Sequence, residues 1–122
     1  MNTNTIHSYK DLIVWQKGID LVSAIYNLTR DFPKEEVFGL SSQIKRAAVS
    51  IPANIAEGRH RGTRKDFLQF VRIAYASGAE LETEIYIAEK LGFGKKEKLN
   101  IVKNLLNEEM KMLHVMVEKL RN

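Results

Sequence analysis

The chain is 122 residues long, with 44% apolar and 28% charged residues, which suits one domain with a buried core and excludes a disordered tail. It has no Cys, so a disulfide framework, a cysteine zinc site and a thiol nucleophile are excluded together, and nothing ties it to an oxidising compartment. Nineteen Lys and Arg against fifteen Asp and Glu leave a net charge of +4, a mild basic bias that permits an anionic partner without demanding one.

Met1 to Asp11 is polar and has no apolar h-region, and no stretch approaches the ~18 apolar residues of a membrane helix. The expectation is a cytoplasmic protein with no membrane partner, a single domain over 1–122 and a ragged N-terminus over 1–9. From Asp11, Leu12, Trp15, Ile19, Val22, Tyr26 and Thr29 recur at three and four and predict a first helix with one buried stripe, ended by Asp31-Phe32-Pro33. Gly18 within it is a tolerable loss of helix propensity. After Gly39, with Ser41 or Ser42 as N-cap, Ile44, Ala47, Ala48, Ile51 and Ile55 predict a second helix that Gly58 closes as a C′ glycine. Pro52 inside it predicts a kink.

Thr63 caps a third helix, with Asp66 in the place of a capping-box partner. Phe67, Phe70, Ala74, Ser77, Leu81, Ile85, Ala88 and Leu91 carry that helix for ~28 residues, or roughly 42 Å, until Gly92-Phe93-Gly94 stops it. A fourth helix from about Lys96 places Leu99, Val102, Leu106, Met110, Leu113, Val117 and Leu120 on one face. No segment shows strand alternation. The expected fold is all-α, an antiparallel up-down four-helix bundle with a proline-kinked second helix.

Small residues of helix two (Ala47, Ala48, Ser50, Ala53, Ala56) and helix three (Ala74, Ala76, Ser77, Gly78, Ala79) read as two facing surfaces in close approach. Leu68, Tyr75, Tyr86, Ile87, Met112, Val115 and Met116 fall beside the main stripes. They either widen the core or form a second apolar face for subunit contacts.

Catalytic and metal chemistry find no support. The Glu-x-x-His pairs of di-metal bundles are missing, and His7, His60 and His114 do not converge in sequence. Glu80, Glu82, Glu84 and Glu89 read as a solvated acidic face. Gly58-Arg59-His60-Arg61-Gly62 has no preceding strand and so is no phosphate cradle. The expectation is a non-enzyme without metal or cofactor. Charge is more informative: Lys45, Arg46, Arg59, Arg61, Arg64, Lys65 and Arg72 make one region cationic, and from Glu80 to Glu89 every charge is negative. This pattern is either the ordinary mixing of charges on a solvated surface, or a basic region that meets nucleic-acid phosphates or the acidic helix face of a neighbouring subunit.

Three stretches carry a resemblance: Asp11-Leu12-Ile13-Val14-Trp15-Gln16-Lys17; Phe32-Pro33-Lys34-Glu35-Glu36 with Gly39-Leu40; and Ser42 to Gly58, which includes Ser50-Ile51-Pro52-Ala53-Asn54-Ile55-Ala56-Glu57-Gly58. They resemble the 23S rRNA intervening-sequence protein family, small four-helix bundles related to the accessory variability determinant of diversity-generating retroelements. The resemblance continues through Lys65-Asp66-Phe67 and Ala79-Glu80-Leu81-Glu82-Thr83 and fades in helix four. It implies a cyclic homopentamer without established catalysis, and nucleic-acid binding in the retroelement relatives. One departure is Tyr75-Ala76-Ser77, where the family usually has a basic residue followed by Gly-Ser. Tyr75 would instead stack a base or fill a subunit contact.

The combined expectation is a homo-oligomer that binds RNA through a basic hinge of Lys45, Arg46, Arg59, Arg61, Arg64 and Lys65. The alternative is a scaffold for a protein partner, such as a reverse transcriptase or a ribosomal component, without nucleic-acid contact.

Overall fold

A computed structural model describes residues 8–122; His7 lies outside them. Ser8 opens the described chain as a cap: its Oγ accepts from the Lys10 amide at 3.1 Å and its own amide donates to Asp11 Oδ2 at 3.2 Å. This holds a 3-10 turn over Tyr9–Asp11, and the Tyr9 ring meets the edge of Trp15 at 5.4 Å. Four helices follow: α1 (Ile13–Thr29), α2 (Leu40–Arg61), α3 (Arg64–Lys90) and α4 (Lys96–Arg121), with a second 3-10 turn at Lys34–Glu36. No strand occurs among the described residues, so the fold is all-α with four helices. Thr63 caps α3, its side chain accepting from the Asp66 amide at 3.1 Å. Gly92 and Gly94, at φ +76 and +84, turn the chain into α4.

Each helix packs on its neighbours in sequence, and α1 and α4 close the ring. The core between them is aliphatic, with Leu21, Ile25, Leu28, Ile44, Ile51, Ile55, Val71, Leu81, Val102 and Leu113 sealed from solvent. Pro52 lies within α2 and is buried there.

Several expectations need correction. In α1 the buried residues are Val14, Gly18, Leu21, Ile25, Leu28 and Thr29, with Leu12, Trp15 and Val22 of the expected stripe partly buried beside them, whereas Ile19 and Tyr26 are 42% and 44% exposed. Apolar residues occupy two phases of this helix, and glycine at position 18 hid the one that faces the core. Neither Ser41 nor Ser42 caps α2; Gly39 is the N-cap residue, and Glu36 Oε1 accepts from the Leu40 amide at 3.2 Å. Gly58 does not end α2. It is buried mid-helix, and Gly62, at φ +88, takes the left-handed position beyond the last turn.

The α2–α3 contact is close at Ala47, Ala48 and Ala74, all buried, and at a 2.9 Å hydrogen bond between the Ser50 and Ser77 hydroxyls. Ala53, Ala76 and Ala79 lie away from this buried line, and Gly78 faces Met110 of α4 instead. Leu91 is 58% exposed. Of the side chains off the main stripes, Tyr75, Met112 and Met116 pack against the core, whereas Tyr86, Ile87 and Val115 stay exposed.

Candidate nucleic-acid interface

The six basic residues singled out in the sequence fall into two groups. Lys45 and Arg46 lie in the second turn of α2 and Arg59 and Arg61 in its last, ~21 Å away at 1.5 Å per residue. The α2–α3 turn then brings Arg59, Arg61, Arg64 and Lys65 together at one end of the bundle.

At that end the cations have different duties. Arg61 pairs with Glu57 at 2.9 Å and lies over the Phe70 ring at 5.0 Å, a one-turn ion pair reinforced by cation–π contact. Arg64 donates to the carbonyls of Lys119, Leu120 and Asn122 at 2.5, 3.3 and 3.1 Å. It thereby satisfies carbonyls that the end of a helix leaves without partners. This contact draws Lys119 and Arg121 to the same end, so six cations gather there against Glu57, Asp66 and Glu118. Arg121 pairs with Glu118 at 3.1 Å. Among the described residues Arg59, Lys65 and Lys119 have no ion-pair partner, which leaves them available to an external anion. Lys119 and Arg121 are not evident from the sequence because they lie more than 50 residues from the α2–α3 turn. Basic residues in the last turn of one helix, close in space to the first turn of another, are the signal that would have found them.

The second group has a different setting. Lys45 Nζ stands 5.2 Å over the Tyr26 ring. Arg46 stands between two recesses, one lined by Gln43, Ala47, Ser50, Ser77 and Glu80, the other by Tyr26, Lys45, Val49 and Ser50.

The acidic run of α3 is not uniformly solvated, which corrects the expectation for Glu84. Glu84 is 5% exposed, and burial together with the nearby Glu80 charge pushes its carboxyl up to about 7. On α4, Glu109 is fully buried, neither oxygen has a partner, and burial followed by the Glu108 charge pushes it up to about 8, opposed by Lys17. A pattern of apolar residues alone passes over such a position. Among the described residues no three His, Asp or Glu side chains are placed to hold a metal ion, and no helix is long and apolar enough to cross a membrane. Tyr75 packs against the protomer's own core, with its ring 6.1 Å from that of His114.

Comparison with known proteins bears on this arrangement. No curated protein matches the chain. Among solved structures, it is similar to a protein of unknown function from the S23 ribosomal protein family of Bacteroides thetaiotaomicron VPI-5482. The identity is 27% and the TM-score 0.78, covering 87% of this chain and 96% of that one. The family model of the 23S rRNA-intervening sequence protein matches residues 10–115. The chain belongs to the 23S rRNA-intervening sequence protein family.

Proposed function

We propose that this protein is a non-catalytic, homo-oligomeric bundle that binds RNA through the basic end formed by the α2–α3 turn and the last turn of α4. The observation that carries the reading is the convergence of six cations from two distant segments, with Arg59, Lys65 and Lys119 unpaired among the described residues. Unpaired surface cations bind phosphates by releasing condensed counterions, a gain that needs no base contact. The family's link to rRNA supports the choice of RNA as the anion.

An open apolar groove of about 550 Å3 supports self-association. It is lined by Leu12, Ile13, Met112, Val115 and Met116, and Ile13 is 61% exposed. Five subunits is the number the family resemblance implies. A ring would repeat the basic end once per subunit and convert weak contacts into avidity. Light scattering at micromolar concentration tests the assembly, with a monomer mass as the refuting result. Filter binding to RNA at several salt concentrations tests the function. Absence of binding at low salt would leave the scaffold for a protein partner as the reading.

A further inference from the structure

We propose that the cleft between α2 and α3 lined by Gln43, Arg46, Ser50, Ser77 and Glu80 receives one unpaired guanine of the bound RNA, with its neighbouring phosphate on Arg46 and Lys45. The inference rests on the RNA-binding reading above and names the nucleotide that this second, non-terminal group of cations selects.

The cleft is polar and holds about 330 Å3, at the small end of ligand sites of roughly 300 to 1,000 Å3. That room suits a single base and not a duplex. Beside it the Ser50 and Ser77 hydroxyls are joined at 2.9 Å, and Asn54 Nδ2 donates to the Ser50 hydroxyl at 2.9 Å and to the Ser50 carbonyl at 2.8 Å. Those groups are thus occupied with one another and held in place. Arg46 and Glu80, by contrast, both line the cleft, yet among the described residues neither forms an ion pair with the other or with a third group. A cation and a carboxylate left unneutralised in one recess suit a ligand that presents an anion at one side and N–H donors at another.

Glu80 also has a buried neighbour. The Glu84 carboxyl lies one helical turn along α3 from it, and burial followed by the neighbouring Glu80 pushes Glu84 up to about 7. An ionised carboxylate only accepts, through two oxygens side by side. Of the four RNA bases, guanine alone offers two adjacent donors on its Watson–Crick edge, the N1–H and the 2-amino group. Uracil would bring carbonyls against the carboxylate. Because that edge must be free, the RNA must be single-stranded at this position. The adjoining recess holds Lys45 over the Tyr26 ring, 5.2 Å from its centroid, so positive charge flanks the base site on the α1 side.

The test uses the full chain and fluorescein-labelled 12-nucleotide RNAs read by anisotropy: oligouridine, the same strand with one central guanosine, and the same with inosine, which lacks the 2-amino group. The wild type is expected to bind the guanosine strand about tenfold more tightly than oligouridine, in the range of one well-made carboxylate or guanidinium base contact, with inosine losing most of that gain. Glu80→Gln is expected to abolish the guanosine preference while oligouridine affinity and helicity stay intact. Arg46→Gln should weaken all three strands. Equal wild-type affinity for the three strands overturns the guanine site and leaves the RNA-binding reading standing. An unchanged preference in Glu80→Gln overturns it too. Failure of the wild type to bind any strand at low salt overturns both.

Discussion

The carboxyl of Glu109 occupies the space that a side chain at position 18 would need. A Cβ on Gly18 would lie 3.0 Å from Glu109 Oε2 and 3.4 Å from Pro52 Cβ, so α1, α2 and α4 meet at a glycine, a proline and a glutamic acid. Both Glu109 oxygens lack partners and the residue is fully buried. An unpaired buried charge is far more expensive than a buried neutral acid, so burial pushes this carboxyl from 4.5 up to about 8 and it keeps its proton at neutral pH.

The stability consequence has a definite sign. With the folded value raised above the unfolded one, the two states bind the proton equally well below about 4.5, and the unfolded chain loses it first as pH rises. Stability should therefore fall between about pH 4.5 and 8 and level off above. Glu109→Gln, which keeps the shape without the ionisation, should match the wild type at acid pH and exceed it at pH 8 by a few kcal/mol, since each tenfold difference in proton affinity between the folded and unfolded chain is worth ~1.4 kcal/mol. Urea melts from pH 4 to 9 check this; parallel pH profiles for the two proteins would refute it.

Gly58 and Gly62 should separate on substitution by Ala. At Gly58 a Cβ would lie 2.5 Å from Phe70 Cβ and 3.2 Å from Phe67 Cδ1, and the first of these belongs to the root of a side chain that cannot swing away. Overpacking of this kind destabilises by about 1 to 3 kcal/mol. At Gly62 nothing lies near, and only the left-handed φ of +88 resists a side chain, at roughly 1 to 2 kcal/mol. A Phe70→Gly change, which removes the Cβ that a side chain at position 58 would meet, should couple favourably with Gly58→Ala and not with Gly62→Ala, read from melts of the single and double variants.

These two glycines mark what was legible in the sequence. Helix number, the Thr63 cap, the glycine turn after α3 and the face of α2 follow from spacing alone, because each depends on residues within one or two turns. Position 58 looks like a stop signal because glycine punctuates helices, and only the neighbouring α3 reveals that it serves close approach. The phase of α1 was hidden in the same way, since Gly18 makes room for Glu109 and Pro52 from other helices. The site was legible in part: Arg59, Arg61, Arg64 and Lys65 are close in sequence, but the split from Lys45 and Arg46 and the arrival of Lys119 and Arg121 are tertiary.

Arg64 should act on stability as well as charge. Its three hydrogen bonds to carbonyls of residues 119, 120 and 122 tie the start of α3 to the end of α4. Arg64→Gln should lower stability by about 0.5 to 1 kcal/mol, the range for a cation at a helix C-terminus. It should also speed amide hydrogen exchange in the last turn of α4 while leaving the middle of α4 protected. Uniform acceleration along α4 would show that the contact has no local role.

The salt dependence of RNA binding follows from which cations are free. Arg59, Lys65 and Lys119 have no ion pairs among the described residues, whereas Arg61 and Arg121 are paired and Arg64 is committed to carbonyls. If each subunit of a five-membered ring neutralises two phosphates of a single strand, the log–log slope of affinity against salt is roughly −7, at about −0.7 per phosphate. The combined change of Arg59, Lys65 and Lys119 to Gln should flatten that slope markedly, leaving only the share carried by Lys45 and Arg46, and leave the melting temperature and oligomer mass unchanged. Arg61→Gln should alter it far less, because the Arg61 charge is already balanced by Glu57. A triple variant with the wild-type slope would place the phosphates elsewhere, and the basic end would then be a surface that meets protein.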